Sequence, residues 1–324
     1  MIVAALAILL GFGFLYLGSK WMVDGAAKLS MLLGVPPFIV GITIVAFGSS
    51  APEAVLAITA AATESTEIAL GGIIGSNIAN IGLVLGISAF FCPIIIREGM
   101  LTRELGFMLL SLVLITAMAI LGGYTWIGGA LLLMLMAAFM AQLLYTLLKG
   151  HPISEEAQEE EVKKIEEKVI TGGRLRQILL LGVGLAMLII GAQVIIWGAV
   201  GIAEGFGIDK VVIGLTTIAL GTSLPELSIC ITAARRCESA FVVSNILGSN
   251  IFNSLFVLGL ASLISPILVP RELLFLEFPV MLLLGGLLVL LIFCRGSIRR
   301  LEGSIFLAVY ASFIVLLASR SGLF

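Results

Sequence analysis

Ten long, predominantly apolar runs divide this chain, and each is long enough to cross a lipid bilayer as a helix. They occupy residues 2–19, 36–62, 67–91, 105–121, 125–148, 177–201, 209–234, 240–265, 273–294 and 303–319. About 20 apolar residues suffice to span a hydrocarbon layer roughly 30 Å thick. Within that layer every backbone polar group must be satisfied internally, which leaves helices or closed barrels. Runs of this length are helices, so the expected fold is an all-α membrane protein with ten transmembrane helices. Only 12% of the residues are charged and 60% are hydrophobic, about half the charge of a soluble domain. A soluble enzyme is excluded, and a net charge of −2 suggests no nucleic-acid partner. The lipid bilayer is the implied solvent.

The first run carries no basic residue ahead of it and no clear cleavage site, so it reads as a retained helix rather than a signal peptide. Cys92, Cys230, Cys237 and Cys294 lack paired spacing and read as packing thiols, not as disulfides or a zinc site. The single His151 precludes a metal centre built on histidines. Between the fifth and sixth runs lies the one long polar stretch, His151–Arg176, read as a solvated linker. Domain organisation follows: residues 1–148, a charged cytoplasmic linker over 149–176, and residues 177–324. If the chain starts outside, 15 of its 18 Lys and Arg fall on the cytoplasmic side, leaving Lys210, Arg271 and Arg320 outside. Basic residues collect on the cytoplasmic side of membrane proteins, so both termini are expected outside a cell membrane. Trp21, Trp126 and Trp197 read as interfacial anchors.

Of the 20 Asp and Glu, only Glu53 and Glu226 lie well inside a span. A mid-membrane carboxylate costs several kcal/mol even on lenient scales, roughly +2.5 to +3.5, and so marks function. These two stand 173 residues apart, and the same offset aligns the halves without gaps. Gly41-Ile-Thr-Ile-Val-Ala-Phe-Gly-Ser-Ser-Ala-Pro-Glu53 meets Gly214-Leu-Thr-Thr-Ile-Ala-Leu-Gly-Thr-Ser-Leu-Pro-Glu226. Gly75-Ser-Asn-Ile-Ala-Asn80 meets Gly248-Ser-Asn-Ile-Phe-Asn253, and Gly18, Pro93 and Glu104 fall on Gly191, Pro266 and Glu277. The chain is a tandem duplication of a five-helix unit. Five is odd, so the second copy enters the membrane from the opposite side. Two inverted repeats result, the architecture in which substrate sites lie at the midplane between the copies.

Each repeat places Gly-(Ser/Thr)-Ser-x-Pro-Glu inside a span. Proline removes a backbone donor and clashes with the preceding turn, and glycine loosens the helix. The helix should break there and release carbonyls, beside the hydroxyls of Ser49, Ser50, Thr222 and Ser223. Ser76 and Asn80 share a helix face at a spacing of four, as do Ser249 and Asn253. Together these form an oxygen-rich, sulfur-free cage, with no thiolate or imidazole in reach, suited to a hard cation such as Ca2+ or Na+. Two ionised glutamates are neutralised by one Ca2+ or two Na+; protons could replace Na+, and the residues alone leave that choice open. Asn77 and Asn250 are expected to bond the neighbouring broken helix. The glycine-rich faces of the first and sixth spans (Gly11, Gly13 and Gly18; Gly182, Gly184 and Gly191) point to close helix packing.

At these motifs the chain resembles the Ca2+/cation antiporter superfamily, and within it the prokaryotic Na+/Ca2+ exchangers. The likeness covers the whole chain in length, helix count and repeat order. It implies a secondary active antiporter exchanging Ca2+ for Na+ by alternating access, with helices 1 and 6 sliding across a core of helices 2, 3, 7 and 8. By position, Glu53 and Glu226 would bind Ca2+ with the carbonyls of Ser49 and Thr222. Na+ would use Ala46, Ser49, Ser50 and Ser76 in one half, and Ala219, Thr222, Ser223 and Ser249 in the other. Asn80 and Asn253 would line the central site. Ser49 stands where many members have Thr, which keeps the hydroxyl. Asn253 stands where K+-dependent members have Asp, which argues against K+ co-transport. No resident cofactor is implied, since the ions are cargo, and the chain is expected to work as a monomer. An H+/Ca2+ antiporter of the same superfamily and a cation channel are the alternatives; the spans hold no arrangement of catalytic residues.

Overall fold

A span that must cross about 30 Å of hydrocarbon sets only a minimum length, and several helices here exceed it. The computed structural model describes residues 2–96, 102–148, 173–205 and 221–320. In chain order the helices are α1 (Ile2–Leu33), α2 (Pro37–Ser49), α3 (Ala51–Ala62), α4 (Thr66–Phe91), α5 (Thr102–Ile120) and α6 (Trp126–Leu148). Then follow α7 (Arg174–Gly205), α8 (Leu224–Ala234), α9 (Ser239–Ile264), α10 (Arg271–Arg295) and α11 (Arg300–Arg320). Two short strands, β1 (Ile94–Ile95) and β2 (Ser297–Ile298), pair antiparallel.

Among the described residues, eight helices are long and apolar enough to cross a membrane, and α2 with α3 makes a ninth span bent by 45°. α8 is the described part of the tenth. Residues 206–220 ahead of it lie outside the described residues, as do 149–172, which hold His151 and most of the expected linker. The fold is the ten-helix inverted repeat. Two expected boundaries move outward: α1 continues to Leu33 and α7 reaches Gly205, 32 residues each. Such helices are about 48 Å long, so their polar ends project beyond the hydrocarbon.

The offset of 173 persists in the backbone. The strand pair joins Ile94 to Ile298 and Ile95 to Ser297, and an isolated bridge joins Tyr124 to Ile267. Ile94 and Tyr124 fall on Ile267 and Ser297, so each end of the molecule is tied by the same two segments with the copies exchanged. Glu64 and Cys237, also 173 apart, both take a left-handed conformation, with φ of 60° and 55°.

Burial separates the helices into a centre and a flank. α9 and α4 have 83% and 72% of their apolar stretch inside the protein, against 28% for α1 and α7. α1 and α7 pack along each other with backbones in contact. A Cβ on Gly18 would lie 2.8 Å from the Gly184 carbonyl, and one on Gly191 would lie 2.9 Å from that of Gly11. Only glycine allows that approach at Gly11, Gly18, Gly184 and Gly191, whereas Gly13 and Gly182, expected on the same faces, meet no neighbour.

The cysteine expectation is corrected at one pair. Cys92, after α4, is bridged to Cys237, in the turn between α8 and α9, with Cα atoms 5.5 Å apart. The partners are 145 residues apart in sequence and belong to different repeats, so local spacing gave no sign of the contact. Cys230 and Cys294 are free thiols.

Candidate ion-binding site

Both Pro-Glu motifs break their helices as the residue types dictate. The chain leaves α2 at Ser50, with φ −84° and ψ 8°, and re-enters a helix with Pro52 and Glu53 in the first turn of α3. Ser223 repeats that conformation at φ −83° and ψ 1°, ahead of Pro225 and Glu226 in the first turn of α8. Proline is tolerated in a first turn because its missing N–H has no intrahelical partner there. Each glutamate thereby sits at the positive end of a half-helix, which favours a carboxylate.

The two glutamates are 3% and 1% exposed, although among the described residues nothing basic is paired with either. Their partners are hydroxyls, one of them from the opposite repeat. Ser50 donates to Glu226 Oε1 at 3.1 Å, and Ser76 donates to Glu53 Oε1 at 3.4 Å. The Thr222 side chain also stands beside Glu53, and that of Ser49 beside Glu226. Ser49 and Thr222 are repeat mates, so this placement is reciprocal. The Ser76 and Thr222 hydroxyls lie 3.4 Å apart, which closes the ring between the copies. Ala46 contributes its carbonyl at the break, accepting from Ser49 Oγ at 3.3 Å and from the Ser50 N–H at 3.1 Å. Ala219 lies outside the described residues.

Polar atoms without partners outline the rest. Glu53 Oε2, Glu226 Oε2, Ser223 Oγ, Ser249 Oγ and both amide atoms of Asn80 and Asn253 are buried and make no hydrogen bond. An unsatisfied buried polar group costs about 1–3 kcal/mol, so this many in one place calls for a ligand. The donors are carboxylate, hydroxyl and amide oxygens, the set that hard cations take. A cation also relieves the cost of two buried carboxylates. The residues present fit Ca2+ or Na+.

Three features were missed in the sequence. First, Asn80 and Asn253 lie in π-helical turns, Asn80–Leu85 and Phe252–Val257, where one extra residue per turn re-aims side chains. A polar residue in an apolar span was the available signal, but not its backbone. Second, Asn77 and Asn250 do not bond the neighbouring broken helix. Asn77 Nδ2 donates to Ser254 Oγ on α9 at 3.0 Å, and Asn250 Nδ2 donates to the Ile246 carbonyl of its own helix at 2.8 Å. Third, a thiol does stand close: Cys230 is buried on α8, one turn beyond Glu226. It is held toward α9, accepting from Asn245 Nδ2 at 3.4 Å and lying 3.9 Å from the Val242 carbonyl.

Gly248 brings α9 onto the broken helix. A Cβ there would lie 2.5 Å from the Ile42 carbonyl and 2.6 Å from Ala46 Cβ, so glycine alone lets Ser249 reach the cage.

Comparison with known proteins agrees with the duplication. The family described as Sodium/calcium exchanger protein matches twice, over residues 3–145 and 176–318, two stretches offset by 173. The chain belongs to the sodium/calcium exchanger family. Sodium/calcium exchanger MaX1 of Methanosarcina acetivorans is 32% identical, across 96% of this chain and 97% of that protein. Inner membrane protein YrbG of Escherichia coli is 33% identical, across 82% of this chain and 81% of its own length. A solved structure of the sodium-calcium exchanger NCX_Mj, soaked with Na+ and Sr2+, superposes with a TM-score of 0.82 at 32% identity, covering 97% and 98% of the two chains. Membership in this family makes the chain a multi-pass membrane transport protein and not an enzyme.

Proposed function

We propose that the chain is a secondary active antiporter that exchanges Ca2+ for Na+ by alternating access, with Ca2+ held between Glu53 and Glu226. The observation that carries this reading is the buried ring of oxygen donors from both repeats, centred on two carboxylates with no basic partner among the described residues. Binding Ca2+ there means replacing the hydroxyl bonds of Ser50 and Ser76 with oxygen–metal contacts at about 2.3–2.6 Å. The Ser49 and Thr222 carbonyls and the Asn80 and Asn253 amide oxygens complete the ligand set. Na+ takes flanking positions at Ala46, Ser49, Ser50 and Ser76, and at Ala219, Thr222, Ser223 and Ser249. Since one Ca2+ and two Na+ both neutralise two carboxylates, either load allows the site to move within the low-dielectric interior. A half-loaded site keeps an unpaired buried charge, which opposes movement. That difference is the physical basis for obligatory exchange.

The exchangers MaX1 and NCX_Mj, named for Na+ and Ca2+, support this coupling over a proton-coupled antiporter. A channel is disfavoured by the occlusion of both glutamates. The chain works as a monomer in the cell membrane with both termini outside, following its basic residues. Residues 1–148 and 177–324 form the two repeats, joined by the cytoplasmic linker 149–176. Proteoliposomes with Na+ and pH gradients imposed separately test the coupling. 45Ca2+ uptake is expected to follow the Na+ gradient; uptake driven by the pH gradient without Na+ overturns it.

A further inference from the structure

α1 touches two neighbours in physically different ways. Against α7 its glycines bring backbone onto backbone, so the two helices form one stiff pair. Against α8 it is joined by polar bonds beside an unfilled space. Asp24 and Arg236, the latter in the turn that ends α8, form an ion pair at 2.6 Å, each side chain 24% exposed. The hydroxyls of Ser19 and Thr232 meet at 2.8 Å, and Ser228 donates to the Leu15 carbonyl at 3.0 Å. Alongside lies a cavity of about 180 Å³, lined by Phe12, Tyr16, Leu227, Ile231 and others. A close-packed interface loses many dispersion contacts when it shears, whereas this one gives up a few polar bonds. If the flank moves relative to the core, the slip plane is between α1 and α8.

The inverted repeat supplies an internal control. Shifted by 173, Asp24 and Ser19 become Trp197 and Ala192 on α7. Shifted back by the same number, Arg236, Thr232 and Ser228 become Thr63, Thr59 and Val55 at α3. These residues cannot form an ion pair. Trp197 and Val55 are 60% and 66% exposed, and the Thr63 hydroxyl bonds the carbonyls of Thr59 and Ala60 in its own helix. Among the described residues, the polar seam therefore belongs to one face and has no counterpart at its repeat-mate positions.

We propose that Asp24 and Arg236, with the Ser19–Thr232 pair, latch the α1–α7 pair to α8 and hold closed the face at which α8 ends. They are positioning residues: they touch no ion, and they set which face the site opens to. The two access states of the transporter are then unequal in this contact, because opening the α8 face breaks an ion pair whose repeat mates, among the described residues, form none. This rests on the transport reading for its consequence, but its test does not require transport.

A reporter cysteine, Ile231→Cys, is placed in a chain carrying Cys230→Ser and Cys294→Ser, with the Cys92–Cys237 bridge intact. Its reaction with a membrane-impermeant maleimide is timed from the face bearing Arg236. Asp24→Asn and Arg236→Gln are each expected to speed labelling about three- to fivefold, the scale of a partly exposed ion pair. The exchanged pair, Asp24→Arg with Arg236→Asp, is expected to restore the parental rate. Unchanged labelling in the single variants overturns the latch, as does an equal rise in Lys28→Gln, which alters charge on α1 outside the pair. If a single variant does not fold, the exchanged pair decides alone: parental labelling supports the latch and faster labelling overturns it.

Discussion

The two copies of the ion site carry matching residues but hold them differently. In the first copy the Ser76 hydroxyl is turned onto Glu53, whereas in the second the matching Ser249 hydroxyl has no partner. The Ser50 hydroxyl reaches across to Glu226, whereas that of its mate Ser223 has no partner. Asn80 and Asn253, by contrast, are alike: both are fully buried, both are without partners, and both stand in a π-helical turn. Duplication thus supplied one chemistry twice, and the surroundings of each copy oriented it separately. In an inverted repeat the two copies must differ in conformation for the site to face one side, and exchanging those conformations turns it to the other.

The glutamates should show no asymmetry. Glu53→Gln or Glu226→Gln leaves a single buried carboxylate for a divalent ion, an imbalance of roughly 3–5 kcal/mol. Each is expected to cut 45Ca2+ exchange by at least about a hundredfold while the protein still inserts. Near-normal exchange in either variant would remove the paired-carboxylate site. The asparagines come next. Asn80→Ala and Asn253→Ala are each expected to weaken Ca2+ competition about tenfold, the scale of one lost buried oxygen ligand. Isothermal titration of the purified variants measures this, and a difference of a hundredfold between them would break their equivalence.

The serines give the smallest effect and the sharpest comparison. Ser76→Ala and Ser249→Ala are each expected to raise the half-saturating Na+ concentration about three- to tenfold, in keeping with one modest hydrogen-bonding group. If the ion-loaded site restores symmetry, the two shifts agree within about threefold. A shift confined to Ser76→Ala in Na+-dependent uptake would mean that the inequality survives binding.

Much of the site was legible because its signals are local. Two carboxylates in apolar spans, proline beside them and hydroxyls before them need no tertiary knowledge to be recognised. The offset of 173 made each residue a check on its mate, and it extends to the left-handed Glu64 and Cys237. The errors arose where partners came from elsewhere in the chain. Asn77 was expected on the broken helix but donates to Ser254, because α4 and α9 cross at the centre of the fold. Cys92 and Cys237 looked like isolated thiols, yet the end of α4 meets the α8–α9 turn. The π-helical turns also escaped notice, since one added residue leaves apolar periodicity almost unchanged over so short a stretch.

Hydropathy, an odd number of spans in each repeat and one repeated motif determined by themselves that this chain lies in a membrane, folds as inverted repeats and gathers oxygen donors around two glutamates. Each of those conclusions follows from a cost that acts wherever the residue sits: unsatisfied backbone in lipid, a bare carboxylate, a proline inside a helix. Tertiary structure decided which hydroxyl faces which carboxylate, which thiols meet, and that Asp24 finds Arg236 on one face only. Those are contacts between segments far apart in the chain. They depend on how glycine faces and broken helices set the distance between packed elements, and no local pattern encodes that distance.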